Sequence, residues 1–309
     1  MIRLPLAAAA AAFLGLSASC GASTPEPPRK VERIVAFGDS FADDGNIFRL
    51  VGTRPPPLYP KGRFSDGTNF VDTMSALLGA PVVNFALGGA VTGEGDRDFR
   101  PAGLDLQTRA FLAGGGTLGF PKTGGRFAAG DLVVLSIGGN DARAYGKRFG
   151  LAPGERQLAV AIREAPAAAD RSAANTERAL LSLVGAGARN ILFLGGDVGR
   201  LPEVRGRPAA KAGSAFSARY NERVRAALAR LSAGGQVIAR YVDMDALARR
   251  VEADPAAFGL ASAGACPQAC VRDPKLAARY LFYVDKVHLT QAGFAILGRH
   301  AVERWRAPR

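Results

Sequence analysis

Residues 31–46 read Val-Glu-Arg-Ile-Val-Ala-Phe-Gly-Asp-Ser-Phe-Ala-Asp-Asp-Gly-Asn, an apolar, β-branched run that leads into Gly38-Asp39-Ser40. A short apolar run bounded by a turn is typical of a strand that is buried in a parallel sheet. Four similar runs follow, with starts roughly 50 residues apart, at Val82–Phe85, Leu132–Ile137, Ile191–Leu194 and Val237–Val242. Helical patterns lie between and after them, at Asn69–Leu78, Ala173–Val184, Ala215–Leu231 and Gln291–Trp305. This alternation predicts an α/β fold with helices on both faces of a parallel sheet.

The overall composition is that of an ordinary globular protein. The 309 residues are 48% hydrophobic and 22% charged. Residues 31–309 show no internal repeat and no break in composition, so we expect one α/β domain there. Two stretches are interpreted as insertions at the rim of the sheet: the Gly-rich Gly114–Gly125 and the Ala- and Pro-rich Ala152–Ala169.

The first 22 residues have the pattern of an export signal. Arg3 precedes the apolar run Ala7–Leu16, which is too short to span the ~30 Å hydrocarbon core of a membrane, and small residues follow it. Residues 23–30 are rich in proline and are interpreted as a linker. Because Leu16–Cys20 resembles a loose bacterial lipoprotein signal, two outcomes stay open: plain cleavage, or acylation of Cys20 as a membrane anchor. We therefore expect an exported protein that is periplasmic, secreted or anchored as a lipoprotein.

The cysteines agree with export. Cys266 and Cys270 lie close enough in a predicted loop to form a local disulfide. A redox-active pair is the alternative, but the spacing is not that of a C-x-x-C motif. Cys20 is then the unpaired cysteine, which is either lipidated or removed with the signal.

The formal net charge of +13 does not by itself predict a nucleic-acid partner. Only 7 of the 40 basic residues are Lys, the Arg residues are scattered, and no basic run is interleaved with aromatic residues. An Arg-rich solvated surface explains the charge, and weak attraction to an anionic envelope surface is the alternative. With two histidines and three cysteines, the chain has little material for a metal site, so we do not expect a metal centre. The sequence does not indicate an oligomeric state.

Distinctive loops follow the first three predicted strands, at the end of a parallel sheet where functional loops lie. Gly38 and Ser40 follow the first strand, Gly88 and Gly89 the second, and Asn140 the third. Each has an ordinary explanation: a Ser that caps a helix, glycines in a turn, and an Asn at an N-cap. Each also fits ester chemistry, as a nucleophile, an open backbone amide and a side-chain amide donor.

Asp285 and His288 form a second kind of motif, in the stretch Tyr283–Thr290. An Asp three residues before a His in a turn can hold the tautomer of the imidazole and stabilise its protonated form. A surface carboxylate beside a packed histidine is the alternative. His300 is the weaker candidate base, because it lies within the last helical pattern with no acidic residue three or four positions before it.

Taken together, these loops resemble the GDSL/SGNH hydrolase family. The family's blocks match as Gly38-Asp39-Ser40, Gly89, Gly139-Asn140-Asp141 and Asp285-x-x-His288. The stretches 62–67 (Gly-Arg-Phe-Ser-Asp-Gly) and 287–293 resemble the secreted bacterial esterase and phospholipase-like branch, in which Pro is more usual at the position of Leu289. The resemblance runs from about Val31 to Trp305. It implies the SGNH hydrolase fold, a three-layer α/β/α sandwich around a flavodoxin-like parallel five-stranded sheet of order 2-1-3-4-5.

The resemblance also implies the roles of the site residues. Ser40, His288 and Asp285 would form a Ser-His-Asp triad, in which His288 removes the proton of the Ser40 hydroxyl. The oxyanion hole would consist of the backbone N–H groups of Ser40 and Gly89 and the side chain of Asn140. Ester cleavage by these groups needs no cofactor.

The other acidic residues of these loops are interpreted as braces, and a glycosidase-like pair of carboxylates is not indicated. These residues are Asp39, Asp44 and Asp141. The predicted substrate is a small acyl ester or a lipid, and carboxylesterase or lipase-like activity is the first choice. Phospholipase or lysophospholipase activity and acyl transfer to an alcohol are alternatives at the same site. A non-catalytic envelope binding module is a further alternative, which the intact triad disfavours.

Overall fold

The computed structural model describes residues 30–52, 58–94, 103–150 and 153–308. The predicted signal, Cys20 and all but the last residue of the predicted linker lie outside these residues. A five-stranded, fully parallel sheet forms the centre, with the order β2-β1-β3-β4-β5. Its strands are β1 Arg33–Gly38, β2 Val82–Asn84, β3 Asp131–Ser136, β4 Asn190–Gly195 and β5 Ile238–Asp243. The predicted strands and their order are confirmed.

Helices cover the sheet on both faces, so the predicted three-layer architecture is confirmed. The helices are α1 Asn46–Val51, α2 Phe70–Leu78, α3 Leu104–Leu112, α4 Gly139–Lys147, α5 Glu155–Gly185, α6 Pro208–Ala233, α7 Met244–Ala253, α8 Pro274–Ala277 and α9 Gln291–Arg306. Side chains alternate across the strands: Val35 and Phe37 pack with α3, α5 and α6, whereas Ile34 and Ala36 pack with α2, α7 and α9. Two apolar layers therefore lie on opposite sides of the sheet.

The interpretation of Ala152–Ala169 as a rim insertion is wrong. From Glu155 onward these residues form the first half of α5, a 31-residue helix that continues through Pro166. Ala161, Ala165 and Ala169 are buried at intervals of four residues and form a narrow face. Alanine has the highest helix propensity, and such a face lets helices approach closely. The proline favoured a loop in the sequence, but packing of α5 against α6 stabilises the helix despite the lost hydrogen bond.

A small two-stranded parallel sheet, which the sequence analysis did not predict, precedes the last helix. It pairs β6 Ser262–Ala265 with β7 Tyr280–Phe282. The sulfur atoms of Cys266 and Cys270 are paired in the segment after β6, and the Cα atoms lie 6.2 Å apart. Beyond β7, the Thr290 hydroxyl accepts the N–H of Gly293 at 3.0 Å and thereby begins α9. The loop between β7 and α9 is therefore fixed at both ends.

The end of β1 is held closely against its neighbours. Gly38 has a φ of +133°, and a Cβ there would collide with the carbonyl oxygen of Ser136 on β3. The side chain of Gln107, from α3, accepts from the Gly38 N–H at 2.7 Å and donates to its carbonyl at 2.8 Å. The backbone that follows Gly38 thus has a defined position at the carboxyl edge of the sheet. Among the described helices, none combines the length and the apolar character that crossing a bilayer requires.

Candidate active site

The structure brings Ser40, His288 and Asp285 together at the carboxyl edge of the sheet. Ser40 follows β1, and its Oγ lies 2.6 Å from Nε2 of His288, across a sequence separation of 248 residues. The Nδ1 atom of His288 lies 2.7 Å from Oδ2 of Asp285. Ser40 and His288 are each only 8% exposed. The arrangement can pass a proton from the hydroxyl to an imidazole that a carboxylate orients.

The Asp285 carboxylate is saturated with hydrogen-bond donors. Its Oδ1 accepts the backbone N–H groups of Val287 and His288, each at 2.9 Å, and its Oδ2 accepts from the His288 ring. Burial alone would raise the pKa of Asp285, but the hydrogen bond and charge of His288 and the two backbone N–H groups lower it to about 2. Because the carboxylate stays ionised at neutral pH, it holds the proton of His288 on Nδ1 and leaves Nε2 free to accept one.

Three aromatic rings surround the His288 imidazole. The ring centroids of Phe41, Tyr59 and Phe64 lie 5.8, 6.1 and 5.2 Å from that of His288. The hydroxyl of Tyr59 also donates to Oδ2 of Asp285 at 2.8 Å. The sequence analysis assigned no role to Tyr59. Nothing in its local pattern marks it, because its contact with Asp285 joins positions 226 residues apart.

The three predicted oxyanion donors lie in loops that meet at this edge. The loop that contains Gly89 is tied to β1 by the N–H of Leu87, which donates to the carbonyl of Gly38 at 3.0 Å. Gly89 has a φ of +81°, and the space around its missing Cβ is open. Among the described residues, no acceptor engages the backbone N–H of Ser40 or of Gly89. Both amides are therefore free to bind a ligand oxygen.

Asn140 is held by the same loop. It lies in the first turn of α4, and its side-chain amide donates to the carbonyl of Ala90 at 2.9 Å. That bond uses one of the two N–H groups of the amide. Asn140 also lines the same cavity as Ser40. The remaining N–H group is thus the one that a bound oxygen would use.

Asp43 is a structural residue that the sequence analysis did not single out. This fully buried carboxylate accepts the N–H groups of Gly45, Asn46, Ile47 and Gly88 at 2.6–3.2 Å. Burial raises its pKa to about 6, against the opposing effect of these four hydrogen bonds. Asp43 therefore joins the loop after β1 to the glycine loop after β2. The dense polar run Asp43-Asp44-Gly45-Asn46 was the available signal.

The three predicted braces all hold loops. Asp39 accepts the N–H of Phe41 at 3.1 Å, and burial raises its pKa to about 7. Asp44 forms an ion pair with Arg49 of α1 at 2.8 Å. Asp141 accepts from the hydroxyls of Thr92 at 2.7 Å and Ser172 at 2.9 Å, so it connects α4 to the segment after Gly89 and to α5. His300 lies on α9 with its Nδ1 3.6 Å from Glu303, and burial lowers its pKa.

An apolar cavity of about 140 Å³ extends from Ser40 and Asn140 into the protein. It passes the end of β4 and continues between α7 and α9. Its apolar lining includes Leu194, Leu247, Val251, Leu281, Ile296 and Leu297. Within the described part of the chain, no group of His, Cys, Asp and Glu side chains could hold a metal ion.

Comparison with known proteins identifies the family of the chain. The GDSL-like lipase/acylhydrolase family model matches residues 34–301. A phosphatidylcholine-sterol acyltransferase from Aeromonas hydrophila is 29% identical over 240 residues, which are 74% of this chain and 63% of that protein. Acetylajmalan esterase 2 from Rauvolfia serpentina is 35% identical over 85 residues, 19% of this chain and 24% of that protein. Both matches thus span less than two thirds of the relative's own length.

Among solved structures, an acetylxylan esterase from Geobacillus stearothermophilus is 18% identical, with a TM-score of 0.47 over 91% of this chain and 96% of that chain. The family model, by contrast, extends from β1 to α9 and includes Ser40, Asn140, Asp285 and His288. The chain therefore belongs to the GDSL-like lipase/acylhydrolase family.

Proposed function

We propose that the protein is an exported serine esterase that hydrolyses acyl esters. Ser40 would be the nucleophile, His288 the general base and acid, and Asp285 the residue that orients His288. The observation that carries the proposal is the 2.6 Å contact between Ser40 Oγ and His288 Nε2, which continues at 2.7 Å to Asp285. A Ser hydroxyl becomes a nucleophile at neutral pH only when such a base adjoins it.

The reaction would follow two half-reactions. In the first, Ser40 Oγ attacks the ester carbonyl carbon while its proton moves to Nε2 of His288. The tetrahedral intermediate collapses when His288 gives this proton to the leaving alcohol oxygen, and an acyl-enzyme remains. In the second, His288 takes a proton from water, whose oxygen attacks the acyl-enzyme, and the proton then returns to Ser40.

The oxyanion of each intermediate would be bound by the N–H groups of Ser40 and Gly89 and by the side chain of Asn140. The free backbone amides and the fixed Asn140 side chain support this assignment. Such donors act strongly because they are aligned before the charge develops. One donor commonly contributes ~2.7–4 kcal/mol to stabilisation of the transition state.

The apolar cavity supports an acyl chain as the part of the substrate that the enzyme recognises. The cavity begins at Ser40 and continues along α7 and α9. Met244 and Val251 both line the cavity, and Val251 lies about 10 Å farther along the axis of α7, at 1.5 Å per residue. We infer that the cavity takes a short or medium acyl chain, with Val251 near its far end.

Acyl transfer to an alcohol is the second candidate function. It is favoured by the relative that is named as a phosphatidylcholine-sterol acyltransferase. The two reactions share the acyl-enzyme and differ only in whether water or an alcohol attacks it. Product analysis in the presence of a competing alcohol separates them, because transfer yields a new ester in place of the free acid.

The following result is expected for the nucleophile. Ser40→Ala removes the attacking oxygen and should lower kcat for p-nitrophenyl butyrate by about 10⁴-fold or more, measured as p-nitrophenol release by purified protein. The matched control is Ser182→Ala, which changes an exposed serine of α5. Equal turnover by the wild type and Ser40→Ala, or no turnover by either, would contradict the proposal.

Asn140→Ala tests the oxyanion hole. Loss of a donor that acts in the transition state should lower kcat about 10²–10³-fold and leave KM nearly unchanged. Steady-state kinetics on the same ester measure both constants. Asn175→Ala is the control, because Asn175 of α5 also contacts the segment after Gly89 but does not line the cavity. Equal and small effects of both substitutions would exclude Asn140 as a donor.

Val251→Phe tests the acyl cavity. A larger side chain near the far end should shorten the space and lower the ratio of kcat/KM for p-nitrophenyl octanoate to that for the butyrate by about tenfold. The ratio cancels any loss of folded protein. Leu181→Phe, on the exposed surface of α5, is the control and should leave the ratio unchanged. A Val251→Phe ratio equal to that of the wild type would mean that the chain binds elsewhere.

Export and anchoring are tested at the mature N-terminus. The signal pattern of residues 1–22 supports export, and the sequence around Cys20 supports lipidation. Mass spectrometry of protein from the membrane fraction should detect diacylglyceryl-Cys20 as the first residue. A mature chain that begins after residue 20 with a free amino group would exclude the anchor, and retention of residues 1–20 would exclude cleavage altogether.

A further inference from the structure

Residues 58–66, which we call the strap, pack against His288 and Asp285 of the triad. The strap contains Tyr59 and Phe64, whose ring centroids are 4.9 Å apart, and both rings contact His288. Its second half belongs to the Gly-Arg-Phe-Ser-Asp-Gly motif of residues 62–67, and the proposed reaction assigns no role to this motif. The strap is therefore a segment with conspicuous contacts to the triad and no role in the chemistry described so far.

Two anchors fix the strap to separate helices. Arg63 forms a bidentate pair with Asp72 of α2, with N···O distances of 2.8 and 2.9 Å. Asp66 accepts the backbone N–H of Gln291, the first residue of α9, at 2.7 Å. The second anchor ties the strap to α9, the helix that begins directly after the loop of His288.

The contact with the triad is a hydrogen bond to its carboxylate. Tyr59 donates its hydroxyl to Oδ2 of Asp285 at 2.8 Å, the same oxygen that faces Nδ1 of His288 at 2.7 Å. Burial and the charge of Asp285 raise the pKa of Tyr59 well above its ordinary value, so the hydroxyl remains a donor at every pH at which the protein works. Because Oδ2 accepts both bonds, the Tyr59 hydroxyl restrains the oxygen that orients the imidazole.

We propose that Tyr59 is a positioning residue for the triad, which fixes the Asp285 carboxylate and thereby holds the His288 imidazole in line with Ser40. The proposal rests on the proposed function of Ser40 and His288. It assigns the strap a purpose: the two anchors hold Tyr59 at hydrogen-bond distance from Asp285, and Phe64 covers the imidazole.

Other charged and titratable groups near the triad would be unchanged by loss of the Tyr59 hydroxyl. Tyr283 directly follows β7 and interacts electrostatically with both Asp285 and Asp66. Arg143 of α4 interacts electrostatically with Tyr59, and it forms an ion pair with Glu203 at 2.8 Å. A substitution that removes only the Tyr59 oxygen therefore isolates the hydrogen bond to Asp285.

Tyr59→Phe is the test, with Tyr283→Phe as its matched control. The ring of Tyr283 lies 6.5 Å from that of Tyr59, and no acceptor among the described residues engages its hydroxyl. For Tyr59→Phe we expect kcat on p-nitrophenyl butyrate to fall about tenfold with little change in KM. A fall in kcat without a change in KM is the pattern of an alignment that is lost in the transition state. Tyr283→Phe should change neither.

A second measurement does not depend on turnover. The chain has two histidines, so a His300→Gln background leaves His288 as the only source of an imidazole N–H proton signal in NMR spectra. Tyr59→Phe should shift the signal of the His288 Nδ1–H proton, whereas Tyr283→Phe should not. Thermal unfolding of both variants shows that each is folded.

The outcomes separate this inference from the proposed function. An unchanged kcat, or an unchanged Nδ1–H signal in folded Tyr59→Phe protein, would overturn the role of Tyr59. A wild-type protein that turns over no ester, but whose His288 signal shifts on Tyr59→Phe substitution, would defeat the esterase proposal. The interaction of Tyr59 with Asp285 and His288 would then be supported even though the esterase proposal had failed.

Discussion

The contact between Ser40 Oγ and His288 Nε2 joins two loops that lie 248 residues apart, and every other feature of the site depends on holding that separation at 2.6 Å. On the serine side, the turn at Gly38 is packed between β3 and the Gln107 side chain. On the histidine side, Thr290 caps α9 and also donates to the carbonyl of Tyr280. The edge-on contact of Phe41 with Phe294 of α9, at 5.3 Å, links the two sides directly. The pair is thus positioned by the sheet and by α9 together.

Buried carboxylates hold the surrounding loops, at some cost in stability. Asp43 joins the loop after β1 to that of Gly88, and Asp141 joins α4 to Thr92 and α5. Because the pKa of Asp43 in the folded protein, about 6, is above the ordinary 3.8, the folded state holds this proton more tightly than the unfolded state. The contribution of Asp43 to the free energy of unfolding therefore falls as the pH rises from about 4 to about 6. Asp43 therefore aligns the backbone amides of the site, although its ionisation lowers the free energy of unfolding at neutral pH.

The sequence was sufficient to predict the elements of secondary structure that show a clear local pattern. All five strands of the main sheet were predicted from local pattern, whereas the meeting of Ser40, Asn140, Asp285 and His288 at one edge was implied by the resemblance to the family. The first half of α5 was assigned wrongly because Pro166 outweighed a periodic alanine face whose partner, α6, cannot be identified from local sequence. Asp43 and Tyr59 were not assigned, because their importance lies in contacts with Gly88 and Asp285 across 45 and 226 residues. A local sequence pattern predicts the secondary structure of a segment, but it does not identify the distant residues that the segment contacts.

In the proposed acyl-enzyme, the side of the site at His288 is more enclosed than the side at Gly89. This difference would affect the balance between hydrolysis and acyl transfer. His288 is enclosed by Phe41, Tyr59 and Phe64, and an acyl chain would fill the cavity beyond Ser40. The incoming oxygen of the second half-reaction must therefore approach from the face that the leaving alcohol vacates. The open space at Gly89 lies at the edge where these loops meet. Since the triad acts identically on water and on an alcohol, the balance between esterase and acyltransferase chemistry would depend on that open face and not on the identity of Ser40, His288 and Asp285.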